Sequence, residues 1–188
     1  MKRVSNPKRT AGRTRRTAAH RSARAPRPVG CAVITVSDTR RGSEDTAGAL
    51  AERLLVRAGH VVATRAWVKD EPAAVRSAAR AALDRADVDV LVVTGGTGIG
   101  PRDRTPEALA PLVDQWLPGF GELFRVVSVK QVGPAAWLSR AGAFVACGRL
   151  VVVLPGSRAA VELALKELLL PELVHAVRML GRFGPTEE

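Results

Sequence analysis

Long apolar runs are missing from this sequence; the longest stretches, such as residues 150–154, are strand-sized. A bilayer span needs roughly 20 apolar residues, so no membrane helix is expected. Cysteine is scarce as well. Cys31 and Cys147 sit among apolar neighbours with no CxxC or Cys/His spacing. That argues against a zinc site or a disulfide and predicts two buried, reduced thiols in a cytoplasmic protein. His20, His60 and His175 have neither metal-ligand nor triad spacing, and no chemistry is assigned to them.

Acidic residues are absent from residues 1–28, which hold two lysines and eight arginines. The chain's net charge of +11 therefore comes mostly from this segment: without it, 19 basic residues face 18 acidic ones. Almost no large apolar side chain lies there to offset the entropy of ordering, so residues 1–28 are expected to be a disordered basic tail. A solvated extension, an Arg-rich transit-type leader and weak, salt-sensitive nucleic-acid contact all fit such a composition. The near-neutral body is not expected to bind nucleic acid. With 46% apolar residues and a mean hydropathy of +0.04, residues 29–188 read as one globular domain.

From Gly30 onward, strand and helix signals alternate. Residues 31–36 (CAVITV) form a β-branched run suited to a central parallel strand. A loop with Asp38, Gly42 and Asp45 leads to a helix over about 45–58, with Leu50, Leu54 and Ala58 on one face and Gly59 as its stop. Residues 60–68 read as a second strand. A helix follows from Asp70-Glu71-Pro72 to about residue 86, with Val75, Ala78, Ala79 and Ala82 inward. Residues 88–94 form a third strand and 106–116 a helix, while 124–129 read as a further strand. Residues 144–147 and 150–154 form a hairpin at the sheet edge. Pro155-Gly156-Ser157 turns into a long C-terminal helix that Pro171 breaks or kinks. The expected fold is three-layer α/β/α with a mostly parallel central sheet and a small edge hairpin. Ligands in such folds sit beyond the carboxyl ends of the strands. Ser37-Asp38, the glycine-rich loop after residue 94 and Pro155-Gly156-Ser157 should therefore share one rim.

Residues 91–109 (LVVTGGTGIGPRDRTPEAL) are the most informative stretch. The loop is not a P-loop, because Pro101 stands where the lysine belongs, and not a dinucleotide fingerprint, because the third glycine is missing. A tight turn is one reading of its glycines. Four glycines, two threonines and an Arg-Asp pair exceed what a turn needs, which favours an anion cradle of backbone N–H groups.

These residues belong to a wider pattern: ITVSD at 34–38, EDTAG at 44–48, TGGTG at 94–98, RDRTPE at 102–107, PGFGE at 118–122, Ser139-Arg140 and LPGS at 154–157. In this order and spacing the chain resembles the MogA/MoaB family of molybdenum-cofactor biosynthesis proteins, relatives of the gephyrin G domain. The likeness spans about residues 29–180 and leaves out the basic tail. It implies a molybdopterin-binding fold. It also implies a molybdopterin adenylyltransferase, a nucleotidyltransferase that moves AMP from Mg-ATP to the terminal phosphate of molybdopterin and releases pyrophosphate. The alternative it implies is a non-catalytic MoaB-like binding or assembly protein. The family's metal-associated acids fall on Asp70 and Asp103, which makes these two the expected catalytic and Mg²⁺-binding residues. Lys69 replaces the proline often found before the first acid. Some MoaB-type relatives lose the Arg-Asp pair; this chain keeps Arg102-Asp103. The short body resembles the MoaB branch. A homotrimer or a hexamer of two trimers is implied, as is contact with a molybdenum-insertion protein.

Each candidate also has a plain structural role. Asp70 before Glu-Pro is a good helix N-cap. Asp103 is harder to explain that way, since Thr105 would already cap the helix beginning at Pro106. Gly95, Gly96, Thr97 and Gly98 are assigned to the nucleotide phosphates. Ser37 and Asp38 line the substrate rim or cap the turn after the first strand. Gly156 and Ser157 sit at a helix start, suited both to an anion, which by resemblance is the molybdopterin phosphate, and to capping. Arg102 and Arg140 are read as phosphate contacts or solvated charges, and Trp67, Trp116 and Trp137 as packing residues.

Overall fold

The computed structural model describes residues 27–183. The tail expectation lies outside them except at its end, where the Arg27 guanidinium sits 5.3 Å over the Phe183 ring. Six strands make one sheet: β1 (Gly30–Val36), β2 (Val61–Val68), β3 (Val90–Thr94), β4 (Gln115–Leu117), β5 (Gly142–Ala146) and β6 (Arg149–Leu154). Their order is β2-β1-β3-β6-β5-β4. The first four run parallel, and β5 and then β4 pair antiparallel beyond them. The helices are α1 (Thr46–Arg57), α2 (Pro72–Leu83), α3 (Thr105–Leu109), α4 (Pro118–Val132), α5 (Arg158–Leu163) and α6 (Leu170–Met179).

Strand side chains alternate between two cores, as the period of two requires. Cys31, Val33, Val90, Val92, Val152 and Leu154 pack with α1, α4, α5 and α6. Ala32, Ile34, Leu91, Val93, Val151 and Val153 pack with α2 and α3 on the other face. Burial on both faces is why these strands read as continuous apolar runs. The result is the expected three-layer α/β/α fold with a mostly parallel sheet.

Local differences have identifiable causes. Residues 124–129 are helical, inside α4. Their β-branched residues suggested a strand, but Phe124 and Ser128 meet the core at helical spacing. The helix read over 106–116 is shorter: α3 ends at Leu109, a 3₁₀ turn with Pro111 follows, and Trp116 lies in β4. In α1 the buried leucines are Leu50 and Leu55, while Ala58 is exposed. Cys31 is buried as expected, its thiol pushed up to about 12 by burial and by the Asp89 charge. Cys147 is exposed. It forms the β5–β6 turn with Gly148, and both have positive φ, 52° and 66°, the geometry of a two-residue type I′ hairpin. Trp116 packs edge-on to Phe144 at 5.6 Å but is largely exposed, as is Trp137. A π-helical segment (Ala164–Leu169) links α5 to α6, so the missing N–H of Pro171 is absorbed by a change of register rather than by a break.

Candidate functional site

The three predicted loops do meet at one rim. Gly95 N–H donates to the Leu154 carbonyl at 2.9 Å, and the Thr94 hydroxyl to the Pro155 carbonyl at 2.9 Å. These bonds fix the glycine loop against the 155–157 loop so closely that a Cβ on Gly156 would sit 3.3 Å from Gly95 Cα. From the first loop, Arg40 donates to the Gly156 carbonyl at 3.2 Å. Asp38 accepts from the Asp70 N–H at 3.2 Å and pairs with Arg102 at 2.7 Å. Arg102 thus spends its charge on Asp38.

Gly95 and Gly96 both adopt positive φ, 109° and 64°. At Gly95 a side chain would also collide with the Val36 carbonyl, so only glycine fits. Gly95 shapes the loop without offering a donor, its N–H being engaged with Leu154. Among the described residues no hydrogen bond takes up the N–H groups of Gly96, Thr97 or Gly98. The other flank closes on Asp103, whose carboxylate accepts from Gly100 N–H at 3.0 Å and would meet a Cβ on Gly98 at 2.8 Å. Asp103 also lines a shallow, open pocket with Ile99, Gly100, Pro101, Arg104, Glu107 and Arg140.

Asp70 and Thr105 are not the caps that sequence suggested. The N-cap of α2 is Glu71, and α3 begins at Thr105 itself with Arg104 as N-cap; neither end has a side-chain cap bond. Asp70 Oδ1 and Thr105 Oγ1 are instead buried without a hydrogen-bond partner. Both crowd the α-carbon of Gly96, where a Cβ would lie 3.1 Å from Asp70 Oδ1. Burial raises the Asp70 carboxyl above its ordinary value, the charges of Asp103 and Asp38 raise it further, and Arg102 and the Arg104 backbone N–H only partly oppose them. An orphaned carboxylate oxygen flanked by two more carboxylates suits a cation. Among the described residues no group of three or more His, Cys, Asp or Glu side chains is arranged to hold a metal. The donor set here is smaller, the kind that Mg²⁺ completes with water and substrate phosphate.

The capping roles are real at the remaining candidates. Ser37 Oγ accepts from the N–H groups of Thr39 and Arg40 at 3.3 and 3.0 Å, and Ser157 Oγ from Ala160 N–H at 3.2 Å.

Two features escaped the sequence reading. Arg140 buttresses the glycine loop: its N–H donates to the Thr97 carbonyl at 3.0 Å, Nε to the Gly98 carbonyl at 2.9 Å, and its guanidinium to the Asp103 carbonyl and the Glu107 carboxylate. The Ser-Arg pair marked the position, but the partners lie far off in sequence. Asp45 is the other. It caps α1 through Gly48 N–H at 2.8 Å while accepting from Thr35 Oγ1 at 2.7 Å and Arg65 at 2.6 Å. Burial alone would raise this carboxyl; the bonds from Arg65, Thr35 and Gly48 outweigh it and hold the group below the usual range.

Known proteins share this sequence and fold. The family described as "Probable molybdopterin binding domain" matches residues 32–175. Molybdenum cofactor biosynthesis protein B of Bacillus subtilis (strain 168) is 46% identical over 159 residues, covering 84% of this chain and 94% of that one. A crystal structure of a molybdenum cofactor biosynthesis protein B superposes with a TM-score of 0.82 at 43% identity, over 85% of this chain and 99% of that one. A MogA structure superposes at 0.72 with 30% identity, over 80% and 99%. The chain is a member of the molybdopterin-binding family that contains the MoaB and MogA molybdenum cofactor biosynthesis proteins.

Proposed function

We propose that this protein is a Mg-ATP-dependent molybdopterin adenylyltransferase. The observation that carries the reading is Asp70 Oδ1, buried without a partner beside Asp38 and Asp103 and against the glycine loop. Arg102 offsets part of the repulsion among these carboxylates, and a bound cation would offset more of it.

Adenylyl transfer joins two anionic phosphates, so the protein must position them and offset their repulsion. Asp70 and Asp103 would hold Mg²⁺, directly or through water. When bound, the ion supplies positive charge to the phosphates of ATP. Gly96, Thr97 and Gly98 would offer their free N–H groups to the triphosphate, and the positive φ at Gly95 and Gly96 would let the backbone approach it closely. Arg140 holds these carbonyls back so that the N–H groups stay turned outward. Gly156, packed against Gly95, and Ser157 beside it would present the acceptor phosphate of molybdopterin. Ser37 and Asp38 close the rim, with Asp38 orienting Arg102 and the backbone of Asp70.

The reading extends to a cytoplasmic homotrimer or hexamer that passes its product to a molybdenum-insertion protein. A second reading, a non-catalytic MoaB-like binding or assembly protein, is favoured by the relatives: the MoaB-type protein is closer in identity than MogA. Retention of Asp70 and Asp103 weighs against it. The test is pyrophosphate release from ATP on adding molybdopterin and Mg²⁺. Release that requires all three supports the transferase; intact ligand binding without release overturns it in favour of the second reading.

A further inference from the structure

A threonine at the start of a helix ordinarily spends its hydroxyl as the N-cap. Thr105 does not. It stands one position late, as the first residue of α3, with Arg104 in the cap position and no side-chain cap bond. Its own N–H donates to the Gly96 carbonyl at 3.0 Å. The residue is 0% exposed, and its Oγ1 has no hydrogen-bond partner. A hydroxyl taken out of water and left unbonded costs free energy that a methyl group in its place would not. Within the fold itself this hydroxyl has nothing to do.

Asp70 offers what Thr105 lacks. Its Oδ1 is also buried without a partner. A Cβ on Gly96 would stand 2.3 Å from Thr105 Oγ1 and 3.1 Å from Asp70 Oδ1, so the two oxygens converge on one point beside the glycine loop. Glycine at 96 keeps that point clear. The start of α3 is turned toward the same carboxylate, since the Arg104 N–H also acts on it. Thr105 brings a donor that can rotate, whereas an ionised carboxylate can only accept. An unmet donor and an unmet acceptor are thus held close together and shut off from water.

We propose that Thr105 is a positioning residue for Asp70: its hydroxyl donates to Oδ1 and so turns Oδ2 toward the cation. The inference rests on the Mg²⁺ role proposed above for Asp70. Asp38 already fixes the backbone of Asp70, accepting its N–H at 3.2 Å, and Thr105 fixes the carboxylate. The pull of the ion on Oδ2 closes the remaining gap between Oδ1 and the hydroxyl. A carboxylate ligand anchored through its second oxygen holds a metal more tightly than one free to turn.

The test is thermal melting of the full chain against Mg²⁺ concentration. Thr105→Val keeps the branched shape and removes the hydroxyl; Thr105→Ser keeps the hydroxyl and drops the methyl. Half-maximal stabilisation of Thr105→Val should need about tenfold more Mg²⁺ than the native chain, while Thr105→Ser should stay within about threefold. In chelator, Thr105→Val should melt no lower than the native chain, since what it loses is an unbonded hydroxyl. A role in the fold alone would lower that melting temperature and leave the Mg²⁺ dependence unmoved, a pattern that overturns the proposal. So does a Thr105→Ser as impaired as Thr105→Val. A native chain that does not respond to Mg²⁺ overturns the Asp70 assignment and the proposal with it. A Mg²⁺ response weakened in Thr105→Val, beside a native chain that releases no pyrophosphate, upholds Thr105 and overturns only the transferase reading.

Discussion

Asp45 is buried and Asp70 half-buried with one oxygen shut off from water; both lie near the ends of parallel strands, and the fold treats them in opposite ways. Asp45 is met by Gly48, Thr35 and Arg65, and its carboxyl is held below the usual range. Asp70 has an oxygen with no partner, and burial with two neighbouring carboxylates raises it. A buried charge that is fully bonded supports the structure; one with an oxygen left over has room for a further partner, the role the proposed function gives Asp70. The comparison separates a fully bonded acid from one with an unpartnered oxygen, without reference to any relative.

The sharpest way to break the contrast is to neutralise both kinds of acid. Asp70→Asn and Asp103→Asn should each cut AMP transfer by about a hundredfold or more while the chain stays folded; near-normal pyrophosphate release by either would remove it from the site. Asp45→Ala should lower stability by about 3 kcal/mol, because Arg65 and the first turn of α1 lose their acceptor. Denaturant unfolding checks this, and a change under about 1 kcal/mol would mean the bonds are incidental.

Thermal melting sharpens the comparison without any substrate. Without divalent ions, Asp70→Asn should melt above the native chain, since it removes a charge the fold disfavours. Adding Mg²⁺ should raise the native melting temperature and leave the variant unmoved. Arg140→Ala should act more mildly, with about a tenfold loss in kcat/KM, and Arg140→Lys should recover little of it, because one ammonium cannot serve several divergent acceptors.

The smallest effect is in pH. Asp45 is depressed, so its contribution is present above the ordinary aspartate value and disappears as pH falls through the folded one. His60 is lowered by burial, its Nδ1 accepting from Val29 N–H. Its neutral form is the folded one, so stability declines as pH falls below the ordinary value of 6.5. Asp70 acts in reverse: its penalty is present above its raised value and fades as pH falls toward 3.8. Stability against pH should show a shallow decline below 6.5 and a steeper one in the aspartate range, and Asp45→Asn should remove the steeper part.

The sheet and the rim were legible in the sequence because doubly buried strands must be continuously apolar and loops after parallel strands must share an edge. The errors came where packing overrode local preference. Val126, Val127 and Val129 favour strands, yet the core takes Phe124 and Ser128 four apart. Cys147 is flanked by apolar strand residues but occupies the turn between them. The role of Arg140 left no local trace, because apart from the Glu107 carboxylate what it binds is backbone carbonyl, which every residue has. The unpartnered oxygen of Asp70 was likewise invisible: a sequence shows which polar groups exist, not which go without a partner.

Gly95 and Gly156, one on each of two loops far apart in the chain, are packed backbone to backbone and laced to Arg40. The rim is thus inherited as a single casting. Exchanging one loop for that of a relative with different substrate preference would displace the other two, so a change of specificity would need all three loops moved together as a cassette.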